Sequence, residues 1–232
     1  MIDPKKLLDQ FLGSGAPGTQ SGMGGHAERL TQFAKNNPLA TGAIAAVLLG
    51  SGRGRGLARN ALKLGGMAAI AGLAYKAYQD YQAGKTPGQG AKEGNLLPPP
   101  ENTGFHPAQA PQGEDEFALT LVRAMIAAAR ADGHIDEAER RKIAGRLRES
   151  GIGEEVESFL VEELERPVDL DALIAAARTE EQKVELYTAS RLAIEPDGRA
   201  ERGYLDLLAG RLKLPDALVD HIEATVAETI VP

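Results

Sequence analysis

From Ala127 to Arg141 the chain reads Ala-Ala-Ala-Arg-Ala-Asp-Gly-His-Ile-Asp-Glu-Ala-Glu-Arg-Arg, and this stretch restricts the fold more than any other. Ahead of it, Phe117, Leu121, Val122, Met125, Ile126 and Ala129 recur at helical spacing, the mark of one buried face. Gly133 then supplies a residue that takes positive φ without strain, which ends a helix. Asp136 with Glu139 three residues on makes an N-cap and its capping partner. Ile143 and Leu147 open a new apolar period. The stretch is therefore read as a helix, a tight acidic corner and a second helix.

The corner resembles the back half of a calcium loop. Such a loop needs oxygen ligands at positions 1, 3 and 5, Gly at 6, an apolar residue at 8 and Glu at 12. With Asp132 at position 5, Gly133, Ile135 and Glu139 fall in place, but Ala128 and Arg130 then occupy positions 1 and 3. Alanine has no ligand atom and arginine puts a cation where the ion belongs, so a standard calcium loop is excluded. Asp132, Asp136 and Glu139 are left as a partial carboxylate cluster, or as acids that cap a helix and complement its dipole.

The motif has an echo. Residues 191–202 read Arg-Leu-Ala-Ile-Glu-Pro-Asp-Gly-Arg-Ala-Glu-Arg, again an apolar helix end, an acidic corner and a Glu opening a helix. Asp132 then corresponds to Glu195 and Glu139 to Glu201. If the two corners face each other, Asp132, Asp136, Glu139, Glu195, Asp197 and Glu201 converge, and a hard cation such as Ca²⁺ or Mg²⁺ relieves their repulsion. If they point apart, they are caps alone.

Composition narrows the class. The absence of Cys and Trp excludes disulfide frameworks, thiolate metal sites and cysteine nucleophiles. Alanine- and leucine-rich periods with few β-branched runs favour an all-α chain. Residues 1–113 carry 11 Lys+Arg and 6 Asp+Glu, while residues 114–232 carry 15 and 27. The acidic half is a poor nucleic-acid binder, because phosphate neutralisation needs clustered cations. The basic half suits an anionic membrane surface or is simply solvated.

In chain order, Met1 to Leu12 is a short amphipathic helix with Leu7, Leu8, Phe11 and Leu12 on one side, and it lacks the continuous apolar core of a secretory signal. Residues 13–25 are Gly/Ser/Pro-rich and are expected to be flexible, so residues 1–38 form an amphipathic start and a tether. Residues 39–82 form a Gly/Ala-rich apolar unit. Leu39 to Gly50 carries no charge, Arg53, Arg55 and Arg59 follow, and Leu64 to Tyr78 is a second apolar run. A spanning helix needs about 20 apolar residues, which neither run supplies. Gly42, Ala46 and Gly50, and then Ala61, Gly65 and Ala69, put small residues at every fourth position, as closely packed membrane helices do. The expectation is a helical hairpin dipping into or lying on the bilayer, with the three arginines at the headgroups. The alternative is that the pair packs on the acidic domain or on another copy of itself. Residues 83–116, rich in Pro, Gly and Gln, read as a disordered linker.

Residues 117–232 form the compact domain, with helices expected near 117–131, 136–149, 153–165, 169–178, 180–194, 198–212 and 215–230. Asp169 and Thr179 are expected N-caps, and Pro215 stands in a first turn, where its missing N–H does no harm.

These paired corners resemble the tellurite-resistance TerB fold, and the whole chain looks like the DUF533 family, which joins a Gly/Ala-rich segment to a TerB-like domain through a Pro-rich linker. The resemblance implies an all-helical domain, acidic positions proposed to bind metal, a bacterial inner-membrane setting and no established catalytic reaction. Carried onto this chain, the acidic positions are Asp132, Asp136 and Glu139, with Glu195, Asp197 and Glu201 matching less closely, since Glu195 stands where Asp is common.

An enzyme is poorly supported. There is no G-x-S-x-G, no His-x-x-x-His pair and no phosphate loop, and His26, His106, His134 and His221 are scattered. The first expectation is a non-enzymatic membrane-associated protein whose acidic domain binds a partner or an ion at the cytoplasmic face, in contact with lipids and not with nucleic acid. The second is a soluble divalent-metal binder or stress sensor that self-associates through its N-terminal region.

Overall fold

The computed structural model describes residues 3–5, 8, 66–88, 96–131, 154–194, 196 and 198–230, the side chains of 154–157 and 230 excepted. Among these residues there are seven α-helices and no strand: α1 Gly66–Gln82, α2 Glu114–Ala129, α3 Glu154–Glu165, α4 Leu170–Ala176, α5 Glu180–Ala193, α6 Arg199–Leu212 and α7 Asp216–Ile230. The expected helix at 136–149 and the apolar run at 39–50 lie outside the described residues, as do Arg53, Arg55 and Arg59.

Local chemistry sets the helix ends. Glu114, Asp115 and Glu116 occupy the first turn of α2, where negative charge complements the dipole. Asp169 caps α4, its Oδ1 accepting from the Ala172 N–H at 2.9 Å, and Thr179 caps α5, its Oγ1 accepting from Gln182 N–H at 3.2 Å. Lys213 closes α6 in the left-handed region, at φ 58°, and Pro215 precedes α7.

Helix α5 is the hub, packing against α2, α1, α6 and α7. Ala189, Leu186 and Ala193 are fully buried along it. It also carries an unusual load of buried polar groups. Arg191 donates from Nε to Glu223 Oε2 of α7 and from Nη1 to the Ile194 carbonyl at 2.8 Å. The Tyr187 hydroxyl donates to the other Glu223 oxygen at 2.9 Å. Burial first, and then the Glu223 charge, push the Tyr187 hydroxyl pKa far above its ordinary value. Pairing of this kind is what makes a buried guanidinium tolerable.

The division of the chain differs from expectation in two places. The second apolar run, expected in a separate hairpin at 39–82, is α1, and α1 packs on α5 and α7 inside the bundle. Ala69, Ile70, Leu73, Ala74 and Ala77 are buried there, so the small residues seat α1 against helices of its own chain. Nor are residues 96–113 a disordered linker. Phe105 is 3% exposed and meets the rings of Tyr75 and Tyr78 at centroid distances of 5.6 and 5.4 Å. A 3₁₀ turn follows at Pro107–Gln109, capped by His106 Nδ1, which accepts from Ala108 N–H. Gln112 donates to the Ala176 carbonyl and accepts from Gln182 Nε2. The proline-rich sequence lacks a core of its own but gains one by lying on the aromatic face of α1. At the N-terminus, Leu8 is completely buried in the same core, and Lys5 Nζ sits 2.6 Å from Glu114 Oε2 at the start of α2. The hydrogen bond to Glu114 raises the Lys5 pKa against a smaller opposing effect of burial.

Candidate functional site

Of the six acids singled out in the sequence, Asp132, Asp136, Glu139, Glu195 and Asp197 lie outside the described residues. Glu201 is described, and its Oε2 accepts the backbone N–H of Gly198 at 2.7 Å. It therefore performs the capping role that the corner motif allows. Among the described residues no group of three or more His, Asp or Glu is placed to hold a metal ion, and no helix is long and apolar enough to cross a membrane.

A concave feature lies elsewhere, between the C-terminal half of α2, the end of α3 and α4. It has a volume of about 280 Å³. Ile126 and Ala127 on α2, Pro167 and Val168 in the α3–α4 connection, and Leu173 on α4 give it an apolar lining. Val168 is 42% exposed at the edge of this concavity.

Charged groups rim this groove. Arg123 lies on α2 and Arg130 is the residue that closes it, seven positions on, and both line the groove. Arg123 donates from Nε to Glu163 Oε2 at 3.1 Å and from Nη2 to Glu163 Oε1 at 2.9 Å, the side-on bidentate pairing of guanidinium and carboxylate. Arg166 adds a bond from Nη1 to Glu163 Oε1 at 3.0 Å and one from Nη2 to Glu162 Oε1 at 2.6 Å. Glu163, only 8% exposed, is thus held by two guanidiniums. Arg130 is bound differently. Its Nη1 donates to the Arg166 carbonyl just beyond the end of α3, where a cation complements the helix dipole. Its Nε is buried and, among the described residues, finds no acceptor.

The sequence reading did not single out Arg123, Arg130, Glu163 or Arg166. The i, i+7 spacing of Arg123 and Arg130 was a visible signal, but their partners lie 36 to 40 residues away, and no motif announces such a pairing.

A family model described as "Protein of unknown function (DUF533)" matches residues 34–226. A protein of Yersinia enterocolitica, described as "Uncharacterized protein in ampR 5'region", is 36% identical over 114 residues, covering 49% of this chain and 82% of that relative. No solved structure matches.

Proposed function

The chain belongs to the DUF533 family, and on that premise we propose that it is a non-enzymatic binding module whose helical bundle takes a partner protein in the groove between α2 and the α3–α4 connection. The observation that carries this reading is the groove itself: a concavity of about 280 Å³ with an apolar lining, an exposed Val168 and three arginines at its edge. Recognition sites of this kind combine an apolar floor with a few placed polar groups. Among the described residues no nucleophile with an adjacent base lines it, which favours binding over chemistry.

The setting belongs to the same proposal. The uncharged run 39–50 and Arg53, Arg55 and Arg59 suit contact with an anionic lipid surface at the cytoplasmic face of a bacterial inner membrane. The burial of α1 leaves such contact to residues upstream of it. A carbonate-washed membrane fraction that retains the chain supports the setting, and full recovery in the soluble fraction ends it.

The groove is tested by selecting displayed peptides on the immobilised full-length chain. Ala172→Trp, which puts an indole into the lining, serves as the counter-selection. Peptides that bind the native chain and lose binding to the variant support the proposal. Peptides that bind both equally, or no enrichment at all, overturn it.

A further inference from the structure

Residues 97–110 form a proline-rich strap that crosses α1 between Gly72 and Tyr78. At one end the Leu97 carbonyl oxygen comes so near that a Gly72 Cβ would meet it at 2.6 Å. Pro99 is buried, and Phe105 rests against the rings of Tyr75 and Tyr78, which are themselves only half-buried. Gly104 passes the first turn of α5 so closely that a Cβ there would stand 2.7 Å from Glu181 Cδ.

The hydrogen bonds of the strap run the other way, into itself. The Thr103, His106, Gln109 and Ala110 N–H groups donate to the carbonyls of Pro100, Thr103, His106 and Pro107. Thr103 Oγ1 donates to the Pro100 carbonyl, and Gln109 Nε2 to that of Glu101. Among the described residues, none of the hydrogen bonds of 97–110 reaches a helix. A turn that keeps its own hydrogen bonds and docks by packing alone leaves its seat without orphaning backbone groups.

From this we infer that residues 97–110 are a ligand held in cis, and that the α1 face beneath them docks a proline-rich segment of a partner protein. Extended proline-rich segments bind aromatic-lined surfaces because their stiffness lowers the ordering cost. The strap itself specifies the chemistry of the segment. Pro98, Pro99 and Pro100 run together, and Gly104 and Phe105 follow. The glycine clears Glu181, and the aromatic ring meets Tyr75 and Tyr78. The chain's own strap competes for the face, so docking in trans follows its release. None of these residues lines the groove beside α3 and α4, so the two sites stand or fall separately.

The experiment uses the full chain, native and Phe105→Ala, with two probes. One is the blocked peptide acetyl-Leu-Pro-Pro-Pro-Glu-Asn-Thr-Gly-Phe-His-Pro-Ala-amide, the sequence of residues 97–108. The other carries Ala in place of its Phe. The Phe105→Ala chain is expected to keep a cooperative melt and to bind the first peptide with saturable shifts of the Tyr75 and Tyr78 ring resonances. Affinity falls at least tenfold for the second peptide. It falls as far for the native chain, whose own strap fills the face. Native-state digestion with chymotrypsin gives an independent reading. Cleavage after Phe105 is expected at urea concentrations where cleavage after Phe117, buried in α2, has not begun. A Phe105→Ala chain that does not fold, that ignores the first peptide, or that binds both peptides equally overturns the proposal. So does a native chain that binds as tightly as the variant, or cleavage after Phe105 and Phe117 that sets in together.

Discussion

Arg123 on α2 and Glu163 on α3 meet through two parallel hydrogen bonds of 3.1 and 2.9 Å, and this pair ties the two walls of the groove together. Glu163 is nearly buried, while the Arg123 side chain is 39% exposed. Water therefore screens one partner and moderates the strength of the pair. Glu163→Ala removes the acceptor of both Arg123 and Arg166, and about 2 kcal/mol of stability is expected to go with it. Glu163→Gln is expected to cost less, since one oxygen acceptor survives. Urea denaturation of the two variants beside the native chain measures the difference.

Glu185 sets the pH dependence. It is 2% exposed in the middle of α5, and among the described residues its Oε1 has no partner. Burial, and secondarily the charge of Glu181, raise its pKa well above the ordinary 4.5. The unfolded chain therefore releases this proton first as pH rises. The folded state loses stability from about pH 4.5 upward, and the loss is complete once pH passes the folded-state pKa. Glu185→Gln is expected to be more stable than the native chain at neutral pH and to show a flatter stability profile, the advantage vanishing below about pH 4.5. Thermal unfolding across pH 4 to 8 is the measurement.

Gly72 lets another part of the chain pass close to α1. A Cβ at this position meets the Leu97 carbonyl oxygen at 2.6 Å and Leu96 Cδ1 at 3.3 Å. Gly72→Ala is expected to destabilise by roughly 1–2 kcal/mol, the helix-propensity gain being outweighed by the displaced backbone. Gly203→Ala and Gly210→Ala in α6, where a Cβ meets nothing within 4 Å, are expected to gain up to about 1 kcal/mol. Opposite signs in one set of melting curves test the distinction.

Leu8 anchors the N-terminal segment. Its side chain is fully buried in the core, so Leu8→Ala is expected to cost about 2–3 kcal/mol. Lys5→Met, at an exposed ion pair with Glu114, is expected to change stability by less than about 1 kcal/mol. A Leu8→Ala variant as stable as the native chain would show that the segment is not part of the fold.

Where helix ends depend on nearby residues, the sequence was informative. Asp169 and Thr179 cap the helices they were expected to cap, and the observed bounds of α4 to α7 lie within a residue or two of those anticipated. Contacts between distant segments were hidden. The apolar face of α1 looks alike whether lipid or a helix of its own chain covers it. The stretch around Phe105 is too polar and proline-rich to build a core, and nothing in its composition tells that Tyr75 and Tyr78 await it. The acidic corner motif offered Glu201 either as a metal ligand or as a cap, and in the structure its carboxylate accepts the Gly198 N–H. The groove is a product of three-dimensional placement, its walls tied by Arg123 and Glu163 from segments 40 residues apart, and spacing carries no trace of that.

The position of α1 has a consequence for biosynthesis. A ribosome completes Gln82 well before it reaches Glu180 and Asp216, where the two helices that cover α1 begin. At about 5–20 residues per second, the nascent chain carries an unshielded greasy helix for on the order of ten seconds. Chaperone engagement at that stage, and aggregation of any polypeptide released before α7 is made, follow from the order in which the helices emerge.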